Sequence, residues 1–190
     1  MRNDNKGFSL IELIIIIAIM SIVLTMLVAN LGYANSSAAK GCANSLKTAI
    51  GQTRIKTMGK KETYLYVYKD GKGYSMKTIS KGSKTGDPIT VEATEQLAKS
   101  KVSIKYSFKK ADGSMTTPVE LDSSNDILIG FNRENGKLDM SSSSITFEGM
   151  TKNVTSTSNE TGIVFNVQSG NFIYDITIYG ATGKVEMARR

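Results

Sequence analysis

The chain has 190 residues, 40% of them hydrophobic, a net charge of +7, no histidine and a single cysteine. That length holds one ordinary domain with an appendage. The missing imidazole excludes His-based triads, His-ligated metals and His pH switches, and a lone Cys42 excludes both an internal disulfide and a Cys-cluster zinc site.

Cys42 itself reads as a small buried apolar residue, with an intermolecular disulfide as the alternative. A Gly-rich, Pro-poor composition heavy in Ser, Thr, Lys and Tyr favours strands and turns beyond the first segment. Charge is unevenly spread. Residues 61–110 carry eleven basic and five acidic side chains, whereas residues 111–183 carry three and nine.

The first element is an apolar run over residues 8–28, in which Glu12 is the one strongly polar side chain and Ser9, Ser21 and Thr25 are mild exceptions. As a helix this run is about 31 Å long, enough to cross a hydrocarbon core. A carboxylate in that position costs roughly 2.5–3.5 kcal/mol, so something must offset it. Two plain readings are a cleaved secretory signal, for which the apolar core is too long although "SSAA" at 36–39 has the small residues of a cleavage site, and a signal anchor, which leaves Glu12 unexplained.

A third reading starts from the residues "KGFSLIEL". A short hydrophilic leader with Arg2 and Lys6, then Gly7 directly before Phe8, resembles the signal of type IV pilins and pseudopilins. The resemblance implies a membrane peptidase that cuts between Gly7 and Phe8 and methylates the new amine of Phe8. It also implies that Glu12 meets the terminal amine of a neighbouring subunit when helices bundle in a filament. Such a pair would offset the burial of both charges and fix the axial stagger, much as a single polar residue fixes coiled-coil register. Many major pilins carry a proline where Ala29 stands here, and its absence leans toward a minor pilin or pseudopilin. The nearest helix weakener is Gly32, at about 1 kcal/mol relative to alanine.

Helical periodicity continues over residues 33–58. Ala39, Ala43, Leu46, Ile50, Thr53 and Thr57 recur at steps of three and four, with Cys42 and Ala49 beside them, which predicts a helix docked on a globular body. Unbroken from 8 to 58, the helix would be about 76 Å long. Lys40, Lys47 and Arg54 fall seven apart along one flank, either as a solvated edge or as contacts to acidic neighbours or phosphate.

After "MGKKE" the period changes to two. "TYLYVYKDGKGYSMKTI" predicts a hairpin around Asp70 and Gly71. Its residues Tyr64, Tyr66 and Tyr68 share one strand face, and with Tyr74 they suit packing more than base stacking. Residues 80–101 read as a polar loop with a short helix over 92–99. "VSIKYSF" reads as a strand turned by "KADGSM", and "DILIGF", "SITF", "GIVFNV" and "NFIYDITIYGATGKVEM" as further strands. "DSSND" at 122–126 offers Asp122 and Asp126 as oxygens but lacks a calcium-loop pattern, so it reads as a turn. Ser141 to Ser144 form a short solvated run, and the Asn153 and Asn159 sequons carry no further reading.

The expected fold is α+β: a long N-terminal α-helix, apolar in its first half and amphipathic in its second, packed on an antiparallel β-sheet domain. The expected divisions are a leader at 1–7, the helix at 8–60 and the β domain at 61–190.

The order of the body elements is similar to minor pilins and pseudopilins of the GspH/FimT type, which end on a strand with a Thr-Gly-basic turn, here Thr182, Gly183 and Lys184. That resemblance implies a structural filament subunit and not an enzyme, with no cofactor and no metal. Its partners would be other pilin or pseudopilin subunits, a prepilin peptidase, an inner-membrane assembly platform and the cytoplasmic membrane. The chain would sit in that membrane before assembly and in an extracellular pilus or pseudopilus afterwards.

Some relatives of this type bind DNA through a terminal G-R-x-R motif. Gly183 and Lys184 match it, but Glu186 stands in place of the second arginine, where a carboxylate repels phosphate. Arg189 and Arg190 compensate only partly. A DNA-uptake role is therefore the alternative reading, with Lys40, Lys47, Arg54, Lys184, Arg189 and Arg190 as its contacts or as contacts between subunits.

Overall fold

The computed structural model describes residues 9–59, 61–82, 88–99, 101–139, 143–154 and 160–190, and for residues 27–31 the backbone only. Helix α1 spans Leu10–Met58 without a break at Gly32. At 1.5 Å per residue its 49 residues extend about 73 Å. Its second half is docked and its described first half is not: Ala39, Ala43, Leu46 and Ile50 are wholly buried, and Thr53 and Thr57 nearly so. This is the face expected from the three-and-four spacing. The two threonines tolerate burial because their hydroxyls donate to helix carbonyls, Thr53 to Ala49 O at 2.8 Å and Thr57 to Thr53 O at 2.9 Å.

Among the described residues eleven strands follow, all paired antiparallel. They are β1 Glu62–Asp70, β2 Gly73–Lys81, β3 Ile89–Ala98, β4 Ser103–Lys110, β5 Val119–Glu120, β6 Ile127–Gly130, β7 Ser144–Phe147, β8 Met150–Asn153, β9 Glu160–Ser169, β10 Phe172–Tyr179 and β11 Val185–Arg189. One sheet has the order β3-β2-β1-β6, a second β11-β10-β9-β4-β5, and β7 with β8 forms a separate hairpin. Both sheets pack on α1. Leu65, Val67, Ile127, Ile129, Ile104, Phe165, Val167 and Ile176 meet its Ala-Leu-Ile face in one core.

Because successive strand residues point to opposite faces, the neighbours of Leu65 and Val67 form a second cluster. There Tyr64, Tyr66, Ile79 and Leu128 pack with Ile145, Phe147 and Val154 of the β7–β8 region. Tyr66 stacks on Tyr68 and meets Phe147 edge-on, while Tyr74 is buried in the main core. The tyrosines of the hairpin are thus packing residues.

One expectation fails. Residues 92–99 form no helix: β3 runs through them, and 89–98 lie paired along β2. Glu, Gln, Leu and Ala favour a helix when isolated, but β2 offers an open edge of hydrogen-bonding groups along this segment, and tertiary pairing overrides that preference. Two register shifts, at Tyr74/Ser75 and Thr78/Ile79, disturb the alternation that would have marked the strand. Residues 83–87 and 100 of that stretch lie outside the described residues.

The terminal run is a hairpin of β10 and β11 around the expected turn at Thr182, Gly183 and Lys184. Its turn is closed by Gly183 N–H donating to Tyr179 O at 2.7 Å and Tyr179 N–H donating to Lys184 O at 2.9 Å.

Candidate assembly segment

Glu12 sits in the first turn of α1. The helix begins with a capping box: the Ser9 Oγ accepts from the Glu12 amide at 3.3 Å, and the Glu12 Oε2 accepts from the Ser9 amide at 2.8 Å. Two groups left without helical partners are satisfied reciprocally, and the carboxylate lies at the positive end of the helix dipole. The sequence signal for this cap is Ser9-x-x-Glu12, which the sequence analysis above does not use. A carboxylate offers about four lone-pair sites, so most of the acceptor capacity of Glu12 stays available.

Past this cap the helix is apolar apart from Ser21 and Thr25, and among the described residues no other element covers it. Leu10, Ile11, Leu13, Ile14, Ile15, Ile16, Ile17, Ile19, Met20, Ile22, Val23, Leu24 and Met26 are all exposed. A surface of that kind marks an interaction with apolar surroundings. Among the described residues no helix is long and apolar enough to cross a membrane; the described side chains of this run stop at Met26, and a span takes about 20 residues. Gly7 and Phe8 lie outside the described residues.

The basic residues singled out from the sequence do not form one patch. Lys40 is exposed, and Lys47 is half-buried. Arg54 is turned inward, its Nε donating to Gly136 O at 2.9 Å. Gly136 also abuts the terminal hairpin, since a Cβ on Gly183, whose φ is +63°, would stand 1.9 Å from Gly136 O. Lys184 pairs with Glu186 at 2.6 Å, and Tyr179 donates to the same carboxylate at 2.9 Å. These bonds from Lys184 and Tyr179 hold the Glu186 carboxyl below its ordinary range. Arg189 lies over the Phe172 ring and Arg190 lies 3.8 Å from Asp175.

The "DSSND" segment is a turn, as expected. Asp122 accepts from the amides of Ser124 and Asn125 at 2.7 and 2.8 Å. Asp126 accepts from the Tyr66 hydroxyl at 2.6 Å and pairs with Lys152. No metal-holding acidic, Cys or His cluster occurs among the described residues. Cys42 is buried, and burial pushes its thiol up to about 12. Ser143 and Ser144 are exposed, as is Asn153; Ser141, Ser142 and Asn159 lie outside the described residues.

Residues 2–28 match the family model described as the prokaryotic N-terminal methylation motif, the signal of type IV pilins and pseudopilins. Gly7, Phe8 and Glu12 all fall within those bounds. No curated protein and no solved structure matches the chain.

Proposed function

We propose, from the methylation motif at residues 2–28, that this chain is a structural subunit, a minor pilin or pseudopilin of a type IV pilus or type II secretion-like filament. In this reading a prepilin peptidase cleaves between Gly7 and Phe8 and methylates Phe8. The mature chain is held in the cytoplasmic membrane by its apolar run, then drawn through an assembly platform into a filament with other subunits. The observation that carries the reading is the apolar first half of α1, capped at Ser9 and Glu12 and uncovered by its own chain.

Magnitudes support insertion. The eleven Leu, Ile and Val side chains exposed between Leu10 and Met26 contribute about 0.3–0.6 kcal/mol each on the insertion scale, roughly 3–7 kcal/mol together. A carboxylate costs about 2.5–3.5 kcal/mol at the centre of a span and less near its end. The apolar run wins by a narrow margin, so a cation that neutralises Glu12 in the assembled bundle matters. The amine of Phe8 on an adjacent copy is that cation in this proposal.

The DNA-uptake alternative is less well supported. Arg54, Lys184, Arg189 and Arg190 are each engaged within the chain, which leaves Lys40 as the freest of the basic residues proposed for it. The deciding experiment is the mass and amino-terminal sequence of the mature protein from cells that express the peptidase. Methylated Phe8 is the expected terminus, and an active protein that keeps residues 1–7 would end the proposal.

A further inference from the structure

The docked part of α1 enters the β domain at one end, and that end can be identified residue by residue. A Cβ on Gly170, in the β9–β10 turn, would lie 2.9 Å from the Asn35 side chain. An open groove of about 610 Å³ runs between Ser37, Ala38, Gly41 and Cys42 of the helix and residues 96–99, 101 and 102. The β1–β2 turn joins the same end, since Gln96 Nε2 donates to Lys72 O at 3.1 Å. The Ser169 hydroxyl donates to Lys101 O at 3.1 Å. The opposite end of the domain is marked by Thr57 and Thr63.

Lys72, Lys99 and Lys101 therefore stand on adjoining turns beside the helix, all exposed. Among the described residues none of the three has an ion pair. By contrast Lys56, Lys61, Lys69, Lys77 and Lys81 each face a glutamate. The acids at the same end are held locally but stay charged: Asp70 accepts from the Lys72 amide and Ser75, Glu120 faces Lys69, and Asp122 accepts from its own turn, so they offset part of the lysine charge. Lys72, Lys99 and Lys101 are thus half of the six described lysines of residues 61–110 without an ion pair, the others being Lys105, Lys109 and Lys110 of β4.

Depth follows from helix rise. Tyr33, 79% exposed, lies five residues past Val28 and hence about 7 Å beyond the end of the apolar run. That is the headgroup level, where amphipathic tyrosine rings settle. Asn35, beside the β9–β10 turn, lies about 10 Å beyond Val28, and Ser37, which lines the groove with Lys99 and Lys101, about 13 Å, so the near side of the lysine turns comes within roughly one Debye length of the headgroups at physiological salt.

We propose that Tyr33 with Lys72, Lys99 and Lys101 forms an interfacial belt that seats the near end of the β domain on anionic phospholipid headgroups before assembly. This rests on the membrane-held state proposed above. A lysine near an anionic surface favours the bound state by about fivefold, so three favour it by at most on the order of a hundredfold, a gain that the carboxylates of Asp70, Glu120 and Asp122 at the same end reduce.

The test uses the full chain in vesicles of phosphatidylcholine alone or mixed with phosphatidylglycerol. A nitroxide is placed at Gly71→Cys, a position with open space around it, and Cys42 is shielded by burial. Relaxation by a nickel-chelating headgroup lipid reads how close the turn sits to the surface. It should rise in the anionic vesicles, fall back at high salt, and lose its gain in the combined Lys72→Glu, Lys99→Glu, Lys101→Glu variant. Equal relaxation in both vesicles, or a gain retained by the variant, overturns the belt.

Flotation with neutral vesicles separates the two proposals. A chain that floats without the anionic gain refutes the belt alone, and one that does not float refutes the belt and its membrane premise together. Retardation of duplex DNA that the variant abolishes, with no lipid-dependent gain, would assign the lysines to nucleic acid and overturn the belt.

Discussion

Glu12 has two physical roles that substitution can separate. As the third residue of the helix it closes a capping box with Ser9, and losing a cap costs about 1 kcal/mol. As a charge it can pair with a cation from a neighbour. At 4 Å and an effective dielectric of about 20 such a pair is worth about 4 kcal/mol before desolvation. If half of that survives, incorporation shifts by about thirtyfold, against about fivefold for the cap.

Glutamine keeps the acceptor that the capping box needs and removes the charge. Glu12→Gln should therefore fail in filaments as badly as Glu12→Ala, whereas Ser9→Ala should assemble with only a small deficit. The assay is the ratio of chain in sheared filaments to chain left in the membrane, with cleavage after Gly7 checked by mass. Glu12→Gln chains that assemble like wild type while Ser9→Ala fails would show that the helix cap, and not the charge, is what Glu12 supplies.

Gly183→Ala should destabilise the domain by about 1–3 kcal/mol, because a left-handed backbone and a Cβ at 1.9 Å from Gly136 O must both be relieved; a urea melt of the detergent-solubilised chain reads it. Tyr66→Phe removes a hydroxyl donating to Asp126 at 2.6 Å and should cost about 1.5–3 kcal/mol, the range for a hydrogen bond to a charged group, with little change in secondary structure by circular dichroism. Burial raises the Cys42 thiol from 9.0 to about 12, so the native chain should resist alkylation at pH 8 and react once unfolded. The folded state holds this proton more tightly than the unfolded one. Its contribution to stability is therefore complete below pH 9 and is lost as pH rises toward 12, seen as a falling melting temperature that Cys42→Ala moderates.

The docked half of α1 was legible because burial on a helix leaves a periodic trace: Ala39 through Thr57 repeat with the turn, and each is buried. The β1–β2 hairpin was legible for the same reason at period two, down to the split between Leu65 and Val67 on one face and Tyr64 and Tyr66 on the other. β3 was not, since its polarity is that of an edge strand and its bulges break the alternation. The Arg54–Gly136–Gly183 contact joins three distant parts of the chain on the backbone of two glycines, and backbone acceptors leave no composition to read. The capping box lay in plain view in Ser9 and Glu12. A carboxylate in an apolar run reads first as a charge, which masks its second role as an acceptor for the helix start.

One rule covers the described polar side chains of the apolar half of α1. The Ser21 hydroxyl donates to Ile17 O at 2.8 Å and the Thr25 hydroxyl to Ile22 O at 2.7 Å, the local bonding that lets hydroxyls sit in a helix without a solvent partner. Ser9 and Glu12 satisfy each other at the start. In hydrocarbon, where an unsatisfied polar group costs several kcal/mol, each of these side chains has arranged its hydrogen bonds within its own helix. What the helix cannot supply to itself is a counter-charge, because no Lys or Arg lies between Glu12 and Lys40, about 42 Å along the axis. If the leader with Arg2 and Lys6 is removed as proposed, the cation for Glu12 is the amine of Phe8 on its own chain or on another copy, and only the second would also fix how one subunit stands against the next.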